Sequence, residues 1–311
     1  MPPLSIVIPT HGRAEILTHC LEHLSRQTAL ADLEVIVVSD GHDEKTTRLF
    51  QRQDWPFPVR FFEVEKSHQG VARNEGVKQA QGEIVLFIGD DILLEPDACE
   101  RHLKAHESFK LQASRPNGLS SGRASFKQSK NSLVACSSPL AAVLGYTRWD
   151  PRVGITPVMR WLEQTGWQFG YPSIACYGHG LIPIGVQHRY TYTSHVSVPL
   201  AIMKAHPFRT DVHLYGWEDV EWGMRLREAG VRLYYEPHAR SLHEHRITLE
   251  ESLRRMEVLG ESANRIAKLV PGFDRRPRGL KLLLYRIAAL FPTMAGRHRK
   301  AFLSGLDSNK K

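Results

Sequence analysis

The first hundred residues alternate four short β-rich runs with helical patterns, and this alternation constrains the fold more than any other feature of the chain. Residues 4–8 form an apolar run that stops at Pro9, and Ile16, Leu17, Cys20, Leu21 and Leu24 then recur on one helical face. Residues 33–39 make a second run, closed by Asp40-Gly41, and a polar helical stretch leads to a third at 59–64. A helix is expected over 70–81, a fourth strand over 84–88, and another helix over 97–109 with Pro96 at its first position. Continuous apolar strands separated by helices imply a mostly parallel sheet covered on both faces. Ligands of such sheets bind at the carboxyl ends of the strands. Pro9-Thr10-His11, Ser39-Asp40-Gly41 and Gly89-Asp90-Asp91 all fall at those ends, so these polar clusters should converge on one crevice.

Beyond residue 110 the pattern loosens. Residues 112–132 are rich in Ser, Gly, Lys and Arg without hydrophobic period, as a mobile loop would be. Residues 133–195 hold many Gly, Pro and aromatic side chains and show no assignable elements. A strand is expected over 196–200, a helix over 218–229 ending at Gly230, a strand over 231–235, and helices over 248–269 and 280–291. Pro271-Gly272 is the best internal boundary. Residues 265–300 carry ten Lys/Arg against Asp274 alone, so the basic excess behind the chain's net charge of +8 belongs to this segment. A second acid-free stretch, 108–149, carries Lys110, Arg115, Arg123, Lys127, Lys130 and Arg148. Both could meet an anionic partner or be solvated surface.

No run of about eighteen apolar residues exists, which argues against a spanning helix. Residues 1–9 lack a basic region and a small-residue cleavage site, so no signal peptide is expected. Cys20, Cys99, Cys136 and Cys176 have no paired spacing, which points to a reducing compartment and a cytoplasmic location.

Five motifs, in order, resemble those of family 2 glycosyltransferases. They are Ile6-Val7-Ile8-Pro9-Thr10-His11-Gly12-Arg13, Val37-Val38-Ser39-Asp40-Gly41, Gly70-Val71-Ala72-Arg73-Asn74-Glu75-Gly76, the run 84–88 with Gly89-Asp90-Asp91, and Gly216-Trp217-Glu218-Asp219 with Leu242-His243. The resemblance implies an α/β GT-A fold: a Rossmann-like nucleotide-diphospho-sugar transferase with helices on both faces of the sheet and, here, a C-terminal helical extension. It divides the chain into a GT-A domain, 1–270, and a basic helical tail, 271–311. Within the domain, 1–108 would bind the nucleotide sugar, 109–195 would be a variable insert, and 196–270 would hold the acceptor and the catalytic acid. Pro9, Thr10, Asp40, Arg73, Asp90, Trp217 and Glu218 are expected at the nucleotide sugar, and Asp91 and His243 at a Mn²⁺ or Mg²⁺ ion. Gly89 stands where the family has the first aspartate of its DxD.

The residue chemistry agrees. Asp40 offers a carboxylate to an imide N–H such as uracil's, or closes an Asp-Gly turn. Arg73 presents a fork of donors to phosphate oxygens. Asp91 is a hard oxygen ligand for a divalent ion. Asp219 is the candidate general base, taking the acceptor hydroxyl's proton in an inverting transfer; Glu218 supports it. Trp217 stacks on a sugar or fills core. His245 shares the chemistry of His243, since period two puts it on the same side of an extended chain.

The expected function is transfer of a sugar, UDP-linked by preference, to an acceptor hydroxyl of a carbohydrate or lipid-linked molecule in envelope polysaccharide or glycolipid synthesis. The alternative is a nucleotide-sugar-binding protein without turnover, which Gly89 motivates. An oxidoreductase is disfavoured because no GxGxxG follows the first strand, and carboxylates at the crevice argue against a nucleic acid there. In the tail, Leu280, Leu283, Leu284, Ile287, Leu290 and Phe291 recur at helical spacing beside Arg278, Lys281 and Arg286. Such a helix lies on an anionic membrane, or packs its apolar face on the body or on a second subunit.

Overall fold

Strand and helix alternate as read, and they build one nine-stranded sheet. The structure, a computed structural model, describes residues 2–52, 54–114, 141–211 and 216–308. The segments β1 (Leu4–Thr10), α1 (Ala14–Leu24), β2 (Leu33–Asp40), α2 (Glu44–Arg52), β3 (Val59–Val64), α3 (Gln69–Gln79) and β4 (Ile84–Ile88) set four parallel strands in the order β3-β2-β1-β4. Alternate residues of β1 feed two cores. Ile6 and Ile8 pack with Leu17 and Leu21 of α1, whereas Val7 faces the layer that contains Ala72 and Val77 of α3. Both sheet faces are therefore covered, which explains why these strands read as continuous apolar runs. The glycine of the Gly70–Gly76 motif has a packing reason as well: a Cβ on Gly76 would lie 2.4 Å from Cγ1 of Val7.

After the fourth strand come β5 (Ile92–Leu94), α4 (Ala98–Ser114), β6 (Ala141–Trp149), α5 (Pro157–Thr165), α6 (Tyr171–Ile174) and β7 (Gly180–Leu181). The chain continues with β8 (His195–Pro199), α7 (Leu200–Ala205), α8 (Glu218–Glu228) and β9 (Arg232–His243). The sheet grows from β4 as β8-β6-β9-β5, with β8 and β5 antiparallel to their neighbours, β6 parallel to β9, and β7 paired to β9. Several boundaries differ from the sequence reading. The strand expected over 231–235 continues to His243, because the backbone pairs with β6 again from Arg240 to His243 after a shift of register, and polar Glu236 and Ser241 are buried within it. Residues 112–114 finish α4, and the remainder of the expected loop, 115–132, lies outside the described residues, as do Arg115, Arg123, Lys127 and Lys130 of the acid-free stretch.

The C-terminal part is α9 (Leu249–Leu269), α10 (Gly279–Ala288) and α11 (Met294–Ser308). Thr248 and Glu251 close a capping box at the start of α9. The last helix is held by close backbone approach: a Cβ on Gly260 would meet the carbonyl of Phe302 at 2.0 Å, and one on Gly305 the carbonyl of Glu257 at 1.8 Å. Phe302, Leu303 and Leu306 complete a core with Val220, Met224, Ala263, Ile266 and Phe273. The tail thus shares a core with the start of α8. No helix of the described residues is long and apolar enough to cross a membrane.

Beneath the sheet lies a polar cluster. Nδ1 of His102 and Nε2 of His106 each lie 2.8 Å from Oγ of Ser197, and Nδ1 of His195 lies 3.1 Å from Oγ of Ser241. All three rings are buried. Burial holds His195 down to about 3 and, with Lys110 adding, His106 to about 3 as well; His102 is also lowered, by burial and by the neighbouring histidines. These groups stay neutral in the fold but bind protons near pH 6.5 once unfolded. The unfolded chain therefore holds more protons between about pH 3 and 6.5, and the stabilisation, fully present above that window, is lost as pH falls through it. Each such histidine steepens the loss by about 1.4 kcal/mol per pH unit. The expected outcome is a melting temperature that drops steadily below about pH 6.5, with a shallower slope in His106→Gln; a melting temperature unchanged from neutral pH to pH 5 would contradict it.

Candidate active site

A three-residue strand assembles one wall of the crevice. The β5–β9 register pairs Ile92 with His243, and the Glu244 N–H donates to the Asp91 carbonyl at 2.8 Å. Residues far apart in sequence thereby meet: Oδ2 of Asp91 lies 3.5 Å from Nε2 of His243 and 3.6 Å from Nδ1 of His245. The Trp149 ring, at the end of β6, stacks on His243 with centroids 4.9 Å apart and an interplanar angle of 11°, which fixes the imidazole plane. On the other side Arg13 donates to both carboxylates, through Nη1 to Asp91 at 2.9 Å and through Nε to Asp90 at 3.2 Å. Thr10 donates to Asp90 at 2.7 Å. Burial and the charge of Asp91 push Asp90 up to about 6. Asp91 is buried too, which works against its ionisation, but His243, His245 and Arg13 hold it well below the usual carboxylate range.

The facing wall comes from the first turns of α3 and α8. Arg73 is 3% exposed, and its Nε and Nη1 have no hydrogen-bond partner. Only Nη2 is engaged, donating to Oε1 of Gln69 at 3.3 Å. Burial lowers its pKa, while Glu218, Asp219 and Asp90 work to raise it. Gly216, at φ +90°, turns the chain into α8 and donates its N–H to Glu218 at 2.7 Å. Gln69 also donates to Glu218. Asp219 follows as a helical residue whose carboxyl accepts from the Val220 N–H at 2.8 Å. Burial, then the charge of Glu218, raises Asp219 to about 7 despite its place at a helix N-terminus.

Between these walls is a cavity of about 360 Å³ lined by Pro9, Arg73, Asp90, Asp91, Glu218, Asp219 and His243, among others. Thr10 reaches it through Asp90. Two expected residues stand apart from this lining. Asp40 ends β2, where Oδ1 accepts from the Ser67 N–H at 2.8 Å and its second oxygen remains available. Trp217 turns toward the helical core: its indole N–H donates to the Leu259 carbonyl at 3.0 Å and its ring meets Phe273 edge-on, so it lines a neighbouring cavity instead. The sequence reading assigned no role to Arg13, Gln69, Gln168, Phe169, Tyr192 or Arg255, which all line the crevice. Arg13 stood within a quoted motif; the aromatic pair comes from the segment with no readable period.

The residues present fit a divalent ion. One carboxylate oxygen and two imidazole nitrogens, from Asp91, His243 and His245, lie within 4.8 Å of one another. This mixed oxygen and nitrogen set suits Mn²⁺, and Mg²⁺ less well.

With this geometry in hand, residues 5–155 match the family model described as Glycosyl transferase family 2. Validoxylamine A glucosyltransferase of Streptomyces hygroscopicus subsp. jinggangensis (strain 5008) is 28% identical over 241 residues, covering 74% of this chain and 53% of that protein. The chain thus spans about half the length of this curated relative. Among solved structures, the mannosyltransferase PcManGT from Pyrobaculum calidifontis in complex with GDP-Man and Mn²⁺ superposes with a TM-score of 0.54 at 16% identity, over 99% of this chain and 75% of that one. S. aureus TarS 1–349 in complex with UDP-GlcNAc gives 0.50 at 14% identity, over 100% and 92%. The fold is that of the GT-A transferases, and residues 5–155 carry the family 2 glycosyltransferase signature.

If Asp91, His243 and His245 form one ion site, Asp91→Ala and His243→Ala should each weaken Mn²⁺ binding by about tenfold or more, read by electron paramagnetic resonance of the free ion. Unchanged binding in both variants would count against the assignment.

Proposed function

We propose that the chain is an inverting glycosyltransferase, dependent on Mn²⁺ or Mg²⁺, that moves a sugar from a nucleoside diphosphate, UDP by preference, to an acceptor hydroxyl. One observation carries this reading: a buried guanidinium with free donors and a carboxyl poised near neutrality face a carboxylate–histidine cluster across a single crevice. Arg73 supplies its unpaired N–H groups to diphosphate oxygens, which supplies the anionic partner its burial lacks. Asp40, with one oxygen held by Ser67, directs the other to the imide N–H of the base. Asp91, His243 and His245 would hold the ion, which when bound supplies positive charge to the leaving diphosphate. Asp219 takes the proton of the acceptor hydroxyl as that oxygen attacks the anomeric carbon. The bond from this carbon to the diphosphate oxygen breaks on the opposite side, and its electron pair leaves with the nucleoside diphosphate. Glu218 keeps Asp219 basic by like-charge repulsion.

Support for the donor comes from TarS, solved with UDP-GlcNAc, and for the ion from PcManGT, solved with GDP-Man and Mn²⁺. On this reading residues 1–108 bind the donor, 196–270 hold the base and the acceptor, and 271–311 form the basic helical extension. The acceptor belongs to the carbohydrates or lipid-linked sugars, and the chain works at the cytoplasmic face of a membrane.

Asp219→Asn should lower the transfer or donor-hydrolysis rate by about 10²–10⁴ while leaving UDP binding nearly intact by calorimetry. Wild-type turnover in this variant would place the base elsewhere. Since the base must be ionised, the rate should rise with pH through about 7 and then level. Glu218→Gln removes a charge that raises the Asp219 pKa, so the midpoint of this limb should move to lower pH; a limb that stays put would exclude the coupling.

A further inference from the structure

The crevice opens at Asp219 into a second cavity of about 420 Å³, and the two share Gln168, Phe169, Tyr192, Gly216, Asp219 and Arg255. Its composition is unlike that of the donor side. Asp219 is the one acid among its described lining residues, against Arg189, Arg255, Arg275, Lys281 and Arg299. Arg189 is neutralised by Asp274, donating through Nε at 3.0 Å. Arg299 lies over the rings of Trp167 and Tyr285, at 5.2 and 5.3 Å, a contact that leaves its N–H edges available. Nε of Arg255 is buried without a hydrogen-bond partner. Arg255, Arg275, Lys281 and Arg299, set around a hollow with Asp219 as the one acid in its described lining, have the donors that recognise phosphate.

The far rim of this cavity is α10, which supplies Lys281 and Tyr285. Its inner face, Leu282, Tyr285 and Ala289, packs on the C-terminal core. The outer face is unpartnered. Leu280, Leu283, Leu284, Ile287, Leu290 and Phe291 are 46–81% exposed, and they make up six of the ten large apolar side chains exposed among the described residues. Concentration on α10 and the turn that follows it is what distinguishes this patch from ordinary scattered surface leucines. Arg278, Lys281 and Arg286 flank it, all exposed. An apolar face bordered by cations matches the interface of an anionic bilayer, not a second copy of an equally basic surface.

We propose that the second cavity is the acceptor site for a phosphate-bearing glycolipid, whose phosphate meets Arg255, Arg275, Lys281 and Arg299 while its hydrocarbon chain stays in an anionic membrane on which α10 lies. The proposal rests on the assignment of Asp219 as the base, and it extends that assignment to the acceptor's chemical class. The sugar hydroxyl is presented to Asp219 from the cationic side, and the donor enters from the Arg73 side.

The test uses the full chain and needs no turnover. Trp167 and Trp217 line the cavity, so their fluorescence reports occupancy. n-Dodecyl phosphate should bind about tenfold or more tightly than either inorganic phosphate or uncharged n-dodecyl maltoside. The chain should also sediment with vesicles of phosphatidylcholine and phosphatidylglycerol but not with phosphatidylcholine alone. The double variant Arg275→Glu/Lys281→Glu should weaken dodecyl phosphate by about tenfold or more, and Leu283→Asp/Leu284→Asp should abolish vesicle sedimentation. All four side chains are exposed, so folding is preserved. Equal affinity for inorganic and dodecyl phosphate would overturn the lipid assignment, leaving a plain phosphate site. Indifference to the charge-reversed variant would overturn the cavity as the phosphate site. A dimer dissolved by Leu283→Asp/Leu284→Asp, with no vesicle binding by the wild type, would assign α10 to self-association and overturn the membrane. UDP binding with Mn²⁺, measured in parallel, separates the two readings: its loss in the wild type removes the transferase assignment without touching the amphiphile result.

Discussion

The pairing of β5 with β9 is the contact on which the crevice depends. Three residues of strand, Ile92–Leu94, run antiparallel to the end of a strand that starts far down the chain, and the register leaves Asp91 beside His243 and His245. Slippage by one residue would turn every side chain of β5 to the opposite face and send His243 away from the carboxylate. Neither side chain alone has a reason to sit there. Burial at this point is tolerable because the carboxylates of Asp90 and Asp91 are met by Arg13 on one side and histidines on the other.

Two carboxyl groups of one crevice, Asp91 and Asp219, acquire opposite characters from their surroundings. Asp91, beside Arg13 and two histidines, is held well below the usual carboxylate range, whereas burial beside Glu218 raises Asp219 to about 7. The helix N-terminus under Asp219 pulls toward ionisation, and burial with like charge overrides it. On the proposed reading, a division of labour between these acids would follow from placement alone, with no change of side chain.

The first half of the fold was legible because its strands are buried on both faces and so appear as unbroken apolar runs. Glycines and aspartates at their ends marked the crevice, and the motif resemblance pointed to Asp91, Arg73 and Asp219, which line it together. Arg13 could not be assigned, since its partners lie 77 and 78 positions along the chain and no local pattern announces such a meeting. Phe169 and Tyr192 belong to a stretch of short turns where side-chain period carries no information. Trp217 shows the limit of motif position: adjacent to Glu218, it points to the other side of the same turn. The stripe on α10 was visible, but period says only that a face exists, not what covers it.

The glycine contacts between α9 and α11 have a geometric consequence. With Gly260 against Phe302 and Gly305 against Glu257, the two helices touch backbone to backbone, and α10 is strung between their ends. Both ends of α10 are thus tied to one closely packed helix pair. If α10 lies on a bilayer as proposed, the depth at which its leucines settle sets how high Asp219 stands above the lipid surface. On the proposed reading the protein would act as a ruler: an acceptor would react when the span from its phosphate to its hydroxyl equals that height, a shorter headgroup falling short and a longer one having to fold back.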